Sequence, residues 1–339
     1  MAGGRGYRSY RGKSSKKKMV LAAFLLLVIL AALAVALMQK YIFYDETGAP
    51  HLEVPWQEGN SGEPEEETVE LDLVIRPAED AEESPLRGFM IPEGPLSVAS
   101  RDAIPSGGED WNSVVVTLKD GTGTVYYNST AATYSSVAVT EETASVLTEW
   151  TTDYAVARIA CFRDPKAANA DVERLGLKNV DGYSFYDGNN SQWLDPAKPA
   201  AREYLCAIAR EAAELGFHEI LLTDVTYPTE GKVDEISYGE GGRQDHLLMF
   251  LQEMRTALKP YGVKLSLEIP VHVIRTGEDD LAGLNLTEIA PLADRLCAKV
   301  LPAEAEACET AVTAACGETA FLPILAAEEA DHFAQSLIQ

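Results

Sequence analysis

Basic residues are scarce in this 339-residue chain, cysteine is rare, and no glycine-rich phosphate loop is present. There are 28 Lys and Arg against 53 Asp and Glu, a net charge of −25, and Arg5, Arg8, Arg11, Lys13, Lys16, Lys17 and Lys18 all precede the first acid. The other 321 residues therefore carry −32. Such a field repels phosphate backbones and anionic lipid, which excludes nucleic acid as a partner beyond the N-terminus. The five cysteines, Cys161, Cys206, Cys297, Cys308 and Cys316, form no C-x-x-C pair, and an odd number cannot complete a disulfide framework. Zinc-ribbon and thioredoxin chemistry are thereby disfavoured. Cys161 in an apolar strand pattern and Cys206 on a helix face read as buried thiols. His218, His246 and His332 have no metal-ligand spacing, so neither a metal nor a cofactor is expected. Gly121 and Gly123 follow a strand, but Thr124-Val125-Tyr126-Tyr127 continues as another strand-like run and opens no helix, which argues against a dinucleotide site.

Twenty consecutive apolar residues do occur, at 19–38. At a rise of about 1.5 Å per residue they would cross a hydrocarbon core of ~30 Å. The basic residues of 1–18 precede the run and only Lys40 closely follows, so the positive-inside rule leaves the N-terminus in the cytoplasm and exports the rest. A cleaved signal peptide is the rival, with Ala34-Val35-Ala36 as a small-x-small site, but the run is longer than a usual apolar core of ~7–15 residues. The expectation is a single-pass signal anchor in the cell membrane. Residues 45–84 hold fourteen acids and one base, Arg76, and read as a solvated stalk within a linker at 39–84. Within it Val69, Leu71, Leu73 and Ile75 alternate like a lone strand.

From residue 85 to 339 strand and helix patterns alternate. Strand-like runs fall at 88–91, 114–118, 155–162, 219–222, 263–268 and 321–325, with a weaker one at 295–301. Leu205, Ile208, Ala212 and Leu215 share a face of a helix at 200–215 with Gly216 at its end, and Leu247, Leu251, Met254 and Leu258 mark another. Continuous apolar strands separated by helices mean a parallel sheet covered by helices, and without a phosphate loop a TIM-type (β/α) barrel is the leading fold. In that fold chemistry sits at the C-terminal ends of strands.

Those ends carry Asp120, Asp164, Asp224 and Glu268. Glycosidic cleavage needs one carboxylic acid to protonate the leaving oxygen and a second carboxylate to attack or to activate water. Trp193, Tyr183, Phe185, Tyr186 and Tyr227 lie in loops on the same side, where flat rings stack on sugars. Asp120 and Asp164 read equally well as helix caps or turn residues. His272 lies four residues after Glu268.

Three blocks carry a resemblance. They are Ala157-Arg158-Ile159-Ala160-Cys161-Phe162-Arg163-Asp164-Pro165, Trp193-Leu194-Asp195-Pro196, and Ala212-Ala213-Glu214-Leu215-Gly216-Phe217-His218-Glu219-Ile220. In order and spacing, residues 86–339 resemble the putative glycoside hydrolase domain family of bacterial exported proteins, related in fold to the α-amylase barrel. The resemblance implies a carbohydrate substrate, with Asp224 on the fourth strand as nucleophile and Glu268 on the fifth as proton donor. Asp120, Arg158, Asp164, Trp193, Tyr227 and His272 would shape the sugar site.

There are departures. Where the family's fourth strand reads like F-D-Y-V-R-F-P, this chain has Leu222-Thr223-Asp224-Val225-Thr226-Tyr227-Pro228. The acid stands one residue late, and strand alternation would turn it to the other side unless the strand end twists. In the second strand Thr117 stands where the family tends to have an acid. After 327–338 nothing strand-like remains for an eighth strand, so the barrel is expected to close with seven, to hold an incomplete eighth, or to borrow the strand at 69–75. The functional expectation is a membrane-anchored, extracytoplasmic glycoside hydrolase acting on a cell-wall or environmental polysaccharide. A degenerate barrel that binds glycan without hydrolysis, or an envelope interaction protein, is the alternative. Nothing in the sequence specifies a protein partner.

Overall fold

The computed structural model describes residues 42–44, 50–52, 85–102, 111–151, 154–317, 319–326 and 335–338. The apolar run at 19–38 and the strand expected at 69–75 lie outside them; among the described residues no helix is long and apolar enough to cross a membrane. Two compact units divide at Pro77 and Ala78. In the first, Ile42–Tyr44 pairs antiparallel with Pro50–Leu52.

The second unit is a closed barrel of eight parallel strands. These are β1 (Arg87–Met90), β2 (Ser113–Lys119), β3 (Tyr154–Ala160), β4 (Glu219–Thr223), β5 (Lys264–Glu268), β6 (Arg295–Lys299), β7 (Ala320–Leu325) and β8 (Ser336–Ile338). Each strand pairs with its sequence neighbour, and β8 closes the ring by pairing Leu337 with Gly88 of β1. Of the expected closures, the short eighth strand is the one found, and closure with seven is not. An eighth strand exists, only three residues long, and it occupies the seam for which the segment at 69–75 was a candidate substitute. Gly88 fits that seam because a Cβ there would lie 2.8 Å from Leu337 Cδ2.

Strand alternation builds two apolar layers. Val115, Val156, Leu221, Cys297, Leu322, Ile324 and Leu337 fill the barrel interior. Ile220, Leu222, Leu265, Leu267, Leu296 and Ala298 point outward to the helices. Burying each such aliphatic side chain stabilises the fold by roughly 1.5–3 kcal/mol. The helices include α1 (Thr143–Trp150), α2 (Pro165–Ala170), α3 (Pro199–Glu214), α4 (Arg243–Leu258), α5 (Val271–Thr276) and α6 (Pro302–Cys316). Proline at the first turn of α3 costs no hydrogen bond, and Gly216 just beyond it adopts φ +95°, the left-handed geometry that ends a helix. Leu247, Leu251, Met254 and Leu258 of α4 are all buried, at the helical spacing seen in the sequence.

A polar network lies in the barrel toward the N-terminal ends of its strands. Glu219 accepts from Tyr154 Oη at 2.6 Å, from Ser266 Oγ and from the Arg295 guanidinium. The Glu219 side chain is 1% exposed, and these donors replace the water it gives up. With this network at one end and the aliphatic layer above it, the barrel is a packed core, and the open cavity lies at the opposite mouth.

Candidate active site

A cavity of about 470 Å³ opens at the C-terminal mouth, lined among others by Asp120, Arg158, Asp224 and Glu268. A second lobe of about 230 Å³ is lined by Trp193, Tyr227 and His272. Arg163, Asp224, Thr226 and Pro270 line both, so the two lobes adjoin at these residues. Seven of the eight residues singled out in the sequence border them, and Asp164 stands apart.

Asp224 reaches the cleft through its backbone. Thr223, the last residue of β4, belongs to the inward-facing set with Glu219 and Leu221, so the next side chain on a regular strand would point outward. Instead Asp224 adopts φ +52°, one of two non-glycine residues with positive φ among those described. Its carbonyl accepts from Phe162 N at 3.1 Å and its Oδ2 lies 3.3 Å from the Thr223 hydroxyl that donates to it. The left-handed conformation is uncommon for residues other than glycine, and asparagine and aspartate tolerate it best. Both Thr223 and Asp224 consequently line the first lobe.

Glu268 ends β5 and lines that lobe too. The β4–β5 register pairs Leu222 with Leu267, and its continuation sets Glu268 beside Thr223. The Glu268 carboxylate is 3.4 Å from the Arg158 guanidinium, which also binds Glu93 Oε1 at 2.6 Å. Arg158 thus bridges two carboxylates, one from the loop after β1 and one from β5.

Asp120 and Asp164, alike in sequence, differ in place. Asp120 lines the first lobe and accepts from Thr122 N, Thr122 Oγ1 and Thr124 N through Oδ1, and from Tyr126 Oη at 2.7 Å through Oδ2. Burial alone would raise its pKa, but these donors outweigh it and hold the carboxyl below the ordinary value. Asp164 caps α2, accepting from Ala167 N at 2.9 Å, and forms a 3.0 Å ion pair with Lys119, both side chains 0% exposed. Its helix-cap reading describes it, and the sugar-binding role expected of it has no path to the cleft. Lys119 also donates to Ala160 O at 2.7 Å, tying β2 to the end of β3.

In the second lobe Asp187 holds the ring of Trp193, accepting from its Nε1 at 2.8 Å. Tyr227 is fully buried and its hydroxyl is engaged by His246. His246 Nε2 lies 2.7 Å from Glu240 O and must donate there, so its Nδ1 accepts from Tyr227 Oη at 2.8 Å. Tyr227 therefore contributes a wall. His272, more than half exposed, contacts Asp279 at 2.8 Å.

Among the cleft residues that the sequence reading of the site did not name are Glu93, Arg163, Thr223 and Lys299 in the first lobe and Asp187 in the second. Only the barrel topology reveals them, since each looks in sequence like an ordinary loop charge or strand residue. Among the described residues no group of three or more His, Cys, Asp or Glu side chains is arranged to hold a metal ion.

Residues 106–315 match the sequence profile of the family described as "Putative glycosyl hydrolase domain". The chain belongs to this family. The match starts after β1 and stops within α6, so β1, β7 and β8 lie outside it. No curated protein matches the chain. Among solved structures, a hypothetical protein from Ruminiclostridium thermocellum ATCC 27405 is 30% identical over 47% of this chain and 84% of its own, with a TM-score of 0.41. The glycoside hydrolase domain of PgaB (BpsB) from Bordetella bronchiseptica is 12% identical over 72% of this chain and 84% of its own, TM-score 0.48. That of PelA from Pseudomonas aeruginosa is 14% identical over 71% and 83%, TM-score 0.39.

In this member of the glycosyl hydrolase domain family, Asp224 reaches the cleft although it follows an inward-facing residue directly. Thr223 takes the inward strand position, and the left-handed turn that follows presents Asp224 beside it. Thr226 lines both lobes, as does Arg163 from the loop after β3.

Proposed function

We propose that the barrel is a glycoside hydrolase with a two-carboxylate mechanism, Asp224 acting as nucleophile and Glu268 as acid/base. The observation that carries this reading is that Asp224, despite its shifted position, faces the same cavity as Glu268 at the C-terminal mouth. Glu268 would protonate the glycosidic oxygen as Asp224 attacks the anomeric carbon, breaking the bond to the leaving sugar and forming a glycosyl ester. Glu268 would then take a proton from water as that water displaces Asp224, returning both groups to their starting states. Asp120, kept ionised by four donors, adds negative charge near the oxocarbenium-like transition state.

The substrate is a polysaccharide of the cell wall or surroundings. The charge asymmetry around the apolar run at 19–38 supports a single-pass anchor with a cytoplasmic N-terminus, an acidic stalk at 39–84 and an extracytoplasmic barrel. Glycan binding without hydrolysis is the second reading, favoured by the Arg158 contact that occupies Glu268. Reducing-end release from a polysaccharide panel, with binding read in parallel, separates the two: release supports the hydrolase, and saturable binding without release supports the binding protein.

A further inference from the structure

The two proposed catalytic carboxylates sit at a boundary within the cleft. Asp224 borders both lobes, whereas Glu268 borders only the first. A glycosidic bond held between them leaves room for sugar on either side, in a lobe of about 470 Å³ and in one of about 230 Å³. A site built for a chain end would close one side.

Arg163 stands at the same boundary. Its Nη1 and Asp224 Oδ2 lie 3.8 and 3.6 Å from the point that a Cβ on Gly121 would occupy, so the absence of a side chain there keeps the space between them open. No carboxylate lies within ion-pair distance of Arg163 among the described residues, and its Nε is buried without a hydrogen-bond partner. Arg158, across the first lobe, has two carboxylates. The Arg163 guanidinium borders both lobes, and ligand oxygens at their junction would accept from its terminal nitrogens.

The loop that leads into Asp187 of the second lobe exposes aromatic rings on an ordered turn. Tyr186, 48% exposed, directly precedes Asp187, which holds Trp193 in that lobe; Tyr183 is 73% exposed and Val180 67%. Phe185 between the tyrosines is buried and anchors the turn. Asn179 Oδ1 accepts from Asp181 N at 3.2 Å and Tyr183 N at 2.9 Å, its own N–H donates to Tyr183 O at 2.8 Å, and Val180 N binds Glu235 O at 2.8 Å. Large rings held out to water on a fixed turn lose little conformational entropy on binding, and their faces suit the C–H faces of sugars.

We infer that the ligand is an internal stretch of a polysaccharide laid across both lobes, gripped at their junction by Arg163 and continued outward over Tyr186 and Tyr183. The inference rests on the carbohydrate reading of the same site and adds to it the class of ligand, a polymer bound away from its ends.

The test uses the full-length chain carrying Glu268→Gln, titrated with long oligomers and with disaccharides of laminarin, xylan, dextran, chitosan and peptidoglycan glycan strands. For at least one series the long oligomer binds at least about tenfold tighter than its disaccharide. Tyr183→Ala with Tyr186→Ala removes most of that preference and leaves disaccharide affinity unchanged, at roughly threefold to tenfold per ring. Arg163→Met weakens both ligands about tenfold at unchanged melting temperature, and Arg163→Lys restores part of the loss. Equal affinity for both lengths, a length preference that survives the tyrosine changes, an unaffected Arg163→Met, or no binding to any series overturns the inference. The expected binding pattern with no release by the unmodified chain would remove the hydrolase reading alone. Release confined to chain ends would remove the inference alone.

Discussion

Thr223 and Asp224 are consecutive in the chain yet line the same cavity, because the backbone of Asp224 turns to φ +52° as β4 ends. On a regular strand they would face opposite sides. The displaced acid thus depends on local backbone geometry, and its replacements divide by their tolerance of that geometry.

Asp224→Asn keeps a residue suited to the left-handed region and is expected to leave the melting temperature nearly unchanged. Asp224→Ala lacks that tolerance and is expected to cost about 1–2 kcal/mol. Both remove the carboxylate. Thermal denaturation of the two variants beside the parent checks the difference, and equal stability would mean that the turn stores no strain.

The Lys119–Asp164 pair is wholly buried, and removing one partner leaves the other charge stranded. Asp164→Asn retains a helix-capping side chain but not the charge, so a loss of about 3–5 kcal/mol is expected. Lys119→Met added to Asp164→Asn should recover part of that loss. Denaturant midpoints of the single and double variants measure it. A neutral Asp164→Asn would instead return Asp164 to consideration as a ligand group.

Glu211 on α3 holds the loop at 127–131, accepting from Tyr127 Oη, Ser129 Oγ, Thr130 N, Thr130 Oγ1 and Ala131 N. Burial would raise its pKa, but the hydrogen bonds from Ser129, Thr130 and Tyr127 prevail and hold it below the usual 4.5. A depressed carboxyl contributes stability that is fully present above its unfolded value and is lost as pH falls through its folded one. Between pH 6 and pH 3 the parent should therefore lose more stability than Glu211→Gln does. Urea titrations across that range test this, and parallel losses would contradict it.

Seven strands and two of the three long helices, α3 and α4, were legible because each carries enough apolar residues to set a period. Ser336–Ile338 was not: three residues cannot display alternation, and only pairing with β7 on one side and β1 on the other makes them a strand. The placement of the acids was legible where a strand end fixed it, as for Glu268. Asp164 looked the same in sequence, and what separates it from Asp120 is burial against Lys119, a contact spanning β2 and the loop after β3. The direction of Asp224 depended on the sign of one φ angle, which hydrophobic periodicity does not encode. Arg163 was passed over for a related reason, because a cation in a loop acquires meaning only when the fold sets it between two lobes of one mouth.

Reducing-end release from cell-wall and plant polysaccharides by the full-length chain, beside Asp224→Asn and Glu268→Gln, bears most directly on the pairing of these two carboxylates. Release by the parent that falls about a thousandfold or more in each variant is expected of two groups acting as one unit. Release that persists in Asp224→Asn, or none from any polysaccharide by the parent, would contradict it.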